Sequence, residues 1–131
     1  MTELQYETDI PVRYADKDTL GHVNNAVYAT YLEEARISYF RDVLGEALVD
    51  RSMVVANLEI DFLAPVTSES VVVGAEVTNI GTKSFTLEYA IETGDTIAAT
   101  ATTVQVHIDP ETGVPKSVPD DWRTAFDRDE Q

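Results

Sequence analysis

The chain of 131 residues has no cysteine and only three lysines, Lys17, Lys83 and Lys116. Without cysteine there can be no disulfide bonds, no thiol catalysis and no cysteine-ligated zinc or iron–sulfur site. No apolar run approaches the ~20 residues that a membrane-spanning helix needs. The acidic start M-T-E-L-Q-Y-E-T-D-I lacks the apolar segment of a secretory signal peptide. We therefore expect a cytoplasmic protein with no membrane partner.

Several catalytic signatures are also missing. The sequence contains no Gly-x-Ser-x-Gly elbow, no phosphate-binding loop and no Gly-x-Gly-x-x-Gly fingerprint. Its two histidines, His22 and His107, are far apart in the sequence and lack metal-ligand spacing. We therefore expect neither a serine triad nor a metal site, and no bound cofactor.

Positive charge is scarce, because nine Lys and Arg stand against 24 Asp and Glu, a formal net charge of −15. The acidic residues are spread along the whole chain, so they do not form an acidic tail. Such a surface repels duplex DNA, and we expect no nucleic-acid partner. Two interpretations of the charge stay open: adaptation to high salt, in which ions screen the self-repulsion, and an ordinary acidic protein.

The hydrophobic pattern predicts one domain over residues 1–131 with an α+β fold. Alternation of apolar and polar residues predicts five strands, over Tyr6–Tyr14, Met53–Leu63, Ser70–Ile80, 84–92 and Thr96–Ile108. Pro11 suggests an edge position for the first strand. After that strand, apolar residues at steps of three and four predict one long helix. The expected architecture is this helix wrapped by a single antiparallel five-stranded sheet.

The ends of the predicted elements have their own signals. Asn24 or Asn25 can cap the start of the long helix, and Gly45 can end it. Residues 110–131 contain prolines and many charges, and we expect them to form a surface C-terminal tail, either extended or a short helix.

The stretch D-K-D-T-L-G-H-V-N-N-A-V-Y, residues 16–28, lies directly before the predicted helix. A helix start has free N–H groups and the positive end of the helix dipole, which together can polarise a carbonyl oxygen. The loop can fold back to place Asp18 beside this first turn, and Gly21 permits a close backbone approach. A carboxylate beside a polarised carbonyl could serve acyl transfer or hydrolysis. An ordinary turn and helix cap would explain the same residues, and both interpretations stay open at this point.

The run V-R-Y-A-D-K-D-T-L-G-H-V-N-N-A-V-Y-A-T-Y-L-E-E-A-R, residues 12–36, resembles the signature of the 4-hydroxybenzoyl-CoA thioesterase-like family of hotdog-fold acyl-CoA thioesterases. Two later stretches, D-F-L-A-P-V at Asp61–Val66 and G-T-K-S-F-T-L at Gly81–Leu87, resemble strands of that family. The resemblance implies a homodimer or homotetramer with active sites at the subunit interface. It also implies hydrolysis of an acyl-CoA to free acid and CoA, so that CoA is part of the substrate and not a cofactor.

The resemblance also implies roles for individual residues. Asp18 corresponds to the catalytic nucleophile or general base, the amide of Asn25 would bind the thioester oxygen, and His22 would complete the catalytic set. The substrate-binding residues it implies are Gly21, Asn24, Tyr28, Lys83 and Ser84. Of these, Lys83 and Ser84 are candidates for holding the CoA phosphates, together with Arg13, although Lys83 could equally be a plain turn lysine. Asp16 lacks the matching offset to Gly21, and we expect it to be exposed at the end of the first strand.

Two other functions stay open. One is a non-catalytic acyl-CoA-binding or sensing protein on the same fold, since a fold does not determine a function. The other is a hotdog dehydratase acting on a hydroxyacyl thioester, which would need a His–Asp or His–Glu pair beside the substrate's α and β carbons. The carboxylate retained at Asp18 favours an enzyme, and the position of His22 in the loop fits the thioesterase pattern better. The pattern does not indicate which acyl group is bound.

Overall fold

The computed structural model describes residues 4–45 and 53–130, which form an antiparallel sheet with a long helix packed on one face. The strands are β1 (Tyr6–Pro11), β2 (Met53–Phe62), β3 (Ser70–Ile80), β4 (Ser84–Thr93) and β5 (Thr96–His107), and the helices are α1 (Asn25–Leu44) and α2 (Asp120–Glu130). The predicted domain span 1–131 also includes residues 1–3, 46–52 and 131, which lie outside the described residues.

The five strands are arranged in the order β1-β3-β4-β5-β2, and every neighbouring pair is antiparallel. Strand β1 lies at one edge of the sheet, as Pro11 predicted, because proline cannot donate a hydrogen bond to a second neighbour. Strand β2 forms the opposite edge. The predicted α+β fold, one long helix on a single antiparallel five-stranded sheet, is confirmed.

Helix α1 packs on the sheet through one apolar face. Its buried residues recur at steps of three and four and are Tyr28, Tyr31, Leu32, Ala35, Tyr39 and Phe40. They meet the inward-facing side chains of β3 and β4, and burying a side chain of Leu or Phe size contributes roughly 1.5–3 kcal/mol. The helix begins after Asn24, whose side chain accepts a hydrogen bond from the Ala26 amide, and it ends at Gly45, where φ is +90°. Both predicted end signals are confirmed.

The first strand is shorter than predicted. It ends at Pro11 instead of Tyr14, because residues Tyr14–Asp16 form a 3-10 turn. The turn is closed by a hydrogen bond from the Asp16 amide to the Arg13 carbonyl at 3.0 Å. Tyr14, which the alternation placed on the buried face, is 97% exposed as a result.

Asp16 is buried, so the prediction that it is exposed was wrong. Its Oδ2 atom accepts hydrogen bonds from the Tyr31 hydroxyl at 2.8 Å and from the Arg13 amide at 2.9 Å. Its carbonyl accepts the Asn24 amide, also at 2.9 Å. The offset of Asp16 to Gly21 carries no information about Tyr31, which lies on α1 and reaches the carboxylate only in the folded chain. These bonds hold the following loop against the start of α1.

Part of the predicted surface tail is also buried. Trp122 and Phe126 on α2 are 2% and 0% exposed, so the tail prediction was wrong for this segment. The ring of Phe126 lies 5.0 Å from that of Phe85, and the ring of Trp122 lies 4.7 Å from that of His107. A spacing of four places both aromatic residues on one face of a helix, whereas Asp120, Asp121 and Asp127 of α2 are exposed.

The core role of α2 predicts the effect of truncating Phe126. Phe126→Ala removes a fully buried ring, and we expect the free energy of unfolding to fall by about 3–5 kcal/mol. The measurement is denaturant unfolding followed by circular dichroism. Asp127→Ala, at the exposed neighbouring position, is the matched control and should change the same free energy by less than about 0.5 kcal/mol. Equal stability of the two variants would show that α2 does not belong to the core.

The buried carboxylate of Asp16 allows a second prediction. Asp16→Ala leaves the Tyr31 hydroxyl and the Arg13 amide without their acceptor, and we expect a loss of about 1–3 kcal/mol in the free energy of unfolding. Asp9→Ala, on the exposed side of β1, should cost less than about 0.5 kcal/mol in the same unfolding assay. The anchoring role of Asp16 is refuted if its variant is no less stable than the Asp9 variant.

Candidate active site

The loop between the 3-10 turn and α1 folds back on itself. The Asp18 amide donates to the His22 carbonyl at 2.8 Å, and the Gly21 amide donates to the Asp18 carbonyl at 3.1 Å. Gly21 has a φ of +80°, a conformation that side chains with a Cβ rarely adopt. The turn interpretation of D-T-L-G is therefore confirmed as a description of the backbone.

The Asp18 carboxylate is held by one oxygen and open at the other. Its Oδ1 atom accepts hydrogen bonds from the Leu20 amide at 2.9 Å and from the His22 amide at 3.1 Å. Within the described residues, Oδ2 accepts no hydrogen bond from the protein. Because two amides orient the group, the free oxygen is presented in a defined position. The same side chain therefore shapes the turn with one oxygen and leaves the other oxygen open to a ligand.

The start of α1 leaves one backbone donor open. The Asn24 side chain accepts the Ala26 amide at 2.9 Å, and the Asn24 carbonyl accepts the Val27 amide at the same distance. The Asn25 amide, between these capped groups, donates to no acceptor in the described part of the chain. The first turn of a helix carries a partial positive charge, so this N–H can bind a negatively polarised oxygen.

Asp18 and Asn25 line one cavity of about 480 Å³ at the helix start. The rest of its lining comes from the loop and α1, as His22, Val23, Asn24 and Tyr28, and from the segment after β2, as Phe62, Leu63, Ala64 and Pro65. The Tyr28 and Phe62 rings meet edge to face with 5.1 Å between their centres. Burial raises the pKa of the Tyr28 phenol, so this group is protonated at neutral pH and is not a base.

Five of the residues singled out from the sequence meet at this cavity, namely Asp18, His22, Asn24, Asn25 and Tyr28. Gly21 shapes the loop but does not line the cavity. Arg13 is engaged elsewhere, because its guanidinium pairs with Glu34 at 2.9 Å and lies 3.7 Å from Asp16.

Lys83 and Ser84 lie away from the cavity, in the turn between β3 and β4 and at the start of β4. The following residue, Phe85, packs on Phe40 near the C-terminal end of α1, with 5.8 Å between ring centres. Phe40 follows Asn25 by fifteen residues, which is about 22 Å along a helix. Within one chain, Lys83 and Asp18 are therefore at opposite ends of α1.

The apolar wall of the cavity, residues 62–65, was not anticipated as part of a site. The Leu63 amide donates to the Ala98 carbonyl at 2.8 Å, and the Val23 amide donates to the Val66 carbonyl at 2.9 Å. These two bonds bring the segment against the loop that carries Asp18. The sequence feature that could have indicated this wall is the pair of apolar residues Phe62 and Leu63 at the end of a strand. Both side chains are exposed in the folded chain.

Among residues 4–45 and 53–130, no three His, Asp or Glu side chains are grouped as metal ligands. Neither of the two described helices is long and apolar enough to cross a membrane.

Comparison with known proteins agrees with this fold. A thioesterase of Thermus thermophilus, solved in complex with coenzyme A and zinc, is 33% identical, with a TM-score of 0.90 over 99% of this chain and 97% of that one. The DHNA-CoA thioesterase of Staphylococcus aureus is 25% identical, with a TM-score of 0.82 over 93% of this chain and 88% of that one.

Sequence comparison points the same way. The uncharacterized protein YsmA of Bacillus subtilis strain 168 is 32% identical over 90 residues, which span 67% of this chain and 61% of that protein. The family model described as "Thioesterase superfamily" matches residues 20–108. That match begins at Leu20, two residues after Asp18, and includes the rest of the loop, all of α1 and the strands β2 to β5. The chain therefore belongs to the thioesterase superfamily and has its hotdog fold.

Proposed function

We propose that the protein hydrolyses an acyl-CoA thioester to the free acid and CoA in the cavity at the start of α1. The observation that carries the proposal is that the Asp18 Oδ2 atom and the Asn25 N–H, each unpaired within the described residues, belong to residues that line the same cavity. The names of two structural relatives, one bound to coenzyme A and one a DHNA-CoA thioesterase, support CoA thioesters as the substrate class.

The proposed reaction uses these two groups in complementary roles. The Asn25 N–H donates to the thioester oxygen and stabilises the negative charge that it gains in the tetrahedral intermediate. Asp18 either attacks the carbonyl carbon, giving an anhydride that water opens, or removes a proton from the attacking water. In both routes the C–S bond breaks, CoA leaves as the thiol after protonation, and the oxygen of water ends in the acid.

The proposal predicts that Asp18→Asn folds but does not turn over. The Asn side chain retains an oxygen for the Leu20 and His22 amides, while it is neither a nucleophile nor a base. We expect kcat to fall at least about 100-fold, the usual size of a lost acid–base group. The measurement is thiol release from aromatic, short-chain and long-chain acyl-CoAs at low and at molar salt.

The control for this experiment is Asp95→Asn, in the exposed turn between β4 and β5, which should keep wild-type turnover. Both variants should unfold at the wild-type denaturant midpoint. Wild-type turnover by a folded Asp18→Asn variant would contradict the proposal.

The same assays separate the other two functions. A non-catalytic acyl-CoA binder would release no thiol in the wild type and would bind equally well after Asp18→Asn. A dehydratase would form an enoyl thioester without releasing thiol. The geometry supports the dehydratase less, because Asp18 accepts a hydrogen bond from the main-chain amide of His22 and not from its imidazole.

We propose further that two copies of the chain associate through β2. This strand is at the edge of the sheet, and its helix-side face exposes apolar side chains, with Val55 at 43%, Leu58 at 42% and Phe62 at 47%. An exposed apolar edge strand pairs readily with another chain. Joining two copies at β2 would extend the hydrogen bonding from one sheet into the other and cover this face.

Association would also give Lys83 and Ser84 a role. Within one chain they lie at the far end of α1 from Asp18, so we propose that a second chain supplies them to this site. We propose that they hold the CoA phosphates in this way, since Lys83 is one of only three lysines on an acidic protein.

The proposed association through β2 predicts that the Leu58→Asp variant is monomeric. A carboxylate on the helix-side face of β2 would be desolvated in the proposed interface, which is unfavourable without a partner charge. The measurement is the molar mass by sedimentation equilibrium. Val114→Asp, at another exposed apolar position, is the control and should keep the wild-type mass. A wild-type protein that is itself monomeric, or an unaltered mass for Leu58→Asp, would refute the role of β2.

A further inference from the structure

The turn between β3 and β4, residues 81–83, is tied to the C-terminal segment by one guanidinium. The Arg123 Nη2 group on α2 donates to the Gly81 carbonyl and, at 3.3 Å, to the Thr82 carbonyl. Its Nε group donates to the Val118 carbonyl at 3.4 Å. The Val118 amide donates in turn to the Thr82 carbonyl at 2.8 Å. The turn therefore cannot shift without breaking hydrogen bonds to the segment that leads into α2.

Lys83 and Ser84, the residues proposed above to hold the CoA phosphates, belong to the same arrangement. The Lys83 carbonyl accepts the His107 amide at 2.9 Å, and the Ser84 carbonyl accepts the Gly81 amide at 2.7 Å. A Cβ atom at position 81 would lie only 3.3 Å from the Ser84 Oγ atom, so the turn is closely packed on that hydroxyl group. The positions of both residues therefore depend on how the turn is held.

Helix α2 determines where the Arg123 guanidinium lies. The neighbouring residue, Trp122, is buried, and its ring lies 4.7 Å from the ring of His107 and 6.4 Å from that of Phe85. Phe85 is the second residue of β4, and His107 is the last residue of β5. Because aromatic rings pack in defined relative orientations, these two contacts fix the start of α2 against the strands beside the turn.

The charge of Arg123 suits this position in an acidic protein. Carbonyl oxygens are hydrogen-bond acceptors and repel phosphate oxygens, which are acceptors as well. Arg123 binds the carbonyls of Gly81 and Thr82, directly before Lys83, and so offsets their partial negative charge. The chain has a formal net charge of −15, so two carbonyls without this cation would further weaken the attraction between the turn and an anion.

We propose that Arg123 is a positioning residue for CoA, because it ties the turn in the geometry in which Lys83 and Ser84 bind the CoA phosphates. The proposal rests on the thioesterase function and on the role of these two residues proposed above. Arg123 acts through Lys83 and not by contact with the substrate, since three main-chain carbonyls occupy its guanidinium. Helix α2 of one chain thereby supports the site that a second chain completes.

The experiment compares two thioesters of the same acid, one with CoA and one with pantetheine, which lacks the nucleotide and its phosphates. The quantities measured by thiol release are kcat and KM. We expect Arg123→Met to raise KM for the acyl-CoA by about threefold to tenfold, the effect of weakening one charge-assisted contact. The same variant should leave kcat unchanged, and it should leave KM for the acyl-pantetheine unchanged because that substrate has no phosphate for the turn to bind.

A double-mutant cycle tests whether Arg123 acts through Lys83. Lys83→Met should show the same selective rise in KM, and the rise in the combined variant should fall clearly short of the product of the two single rises. Arg123→Lys retains the charge but has one donor nitrogen, so its KM should lie between those of the wild type and Arg123→Met. This variant also serves if Arg123→Met does not fold. Thr124→Val, at the next and exposed position of α2, is the control and should keep both KM values.

Failure of the inference can be told from failure of the proposed function. An unchanged KM in either single Met variant, equal losses with both thioesters, multiplying effects in the cycle, or a wild-type KM for Arg123→Lys each overturns the inference while leaving the hydrolase intact. If the wild type does not release thiol from both thioesters, the binding of CoA and of pantetheine is measured by calorimetry. Weaker binding of CoA alone in Arg123→Met then supports the inference, and unchanged binding of CoA overturns it.

Discussion

The hydrogen bond from the Asn24 amide to the Asp16 carbonyl joins the two parts of the candidate active site. On one side of it lies the loop that presents Asp18, and on the other the first turn of α1 with its open Asn25 amide. The buried side chain of Asp16 secures the same junction a second time through Tyr31. The relative position of the Asp18 carboxylate and the open Asn25 amide thus depends on one residue that takes no part in the proposed chemistry. Such indirect support is how an exposed loop can hold a reactive group in place.

Because the protein has few cationic side chains, the hydrogen-bond partners of Arg13, Arg36 and Arg123 indicate what these residues do. Arg13 pairs with Glu34 and lies close to Asp16, so it strengthens the loop. Arg123 on α2 donates to the carbonyls of Gly81 and Thr82, so it secures the turn that contains Lys83. Arg36 differs from both, because it donates to a neutral phenol inside the core. Two of these three guanidinium groups therefore act as structural ties, and the third reaches into the core.

The parts of the structure that sequence reasoning anticipated depend on short-range interactions. The helix cap at Asn24, the turn at Gly21 and the helix end at Gly45 each depend on residues only a few positions away. Alternation of apolar side chains likewise identifies a strand without knowledge of its partner strands. The burial of Asp16 depends on a hydroxyl fifteen residues away, which no local pattern encodes. The apolar wall at residues 62–65 likewise requires the hydrogen bond between Leu63 and Ala98. The role proposed for Asp18 came from the resemblance to a family, because spacing alone favoured an ordinary turn residue.

Helix α2 is synthesised after every strand of the sheet, yet Phe126 packs against Tyr39, Phe40 and Phe85 in the finished core. Until it docks, that aromatic surface faces water. A nascent chain that has completed its sheet therefore exposes an aggregation-prone apolar patch to solvent during translation. Chaperones that bind such patches would compete with α2, and the rate of helix docking would set how long the newly made chain is vulnerable to aggregation.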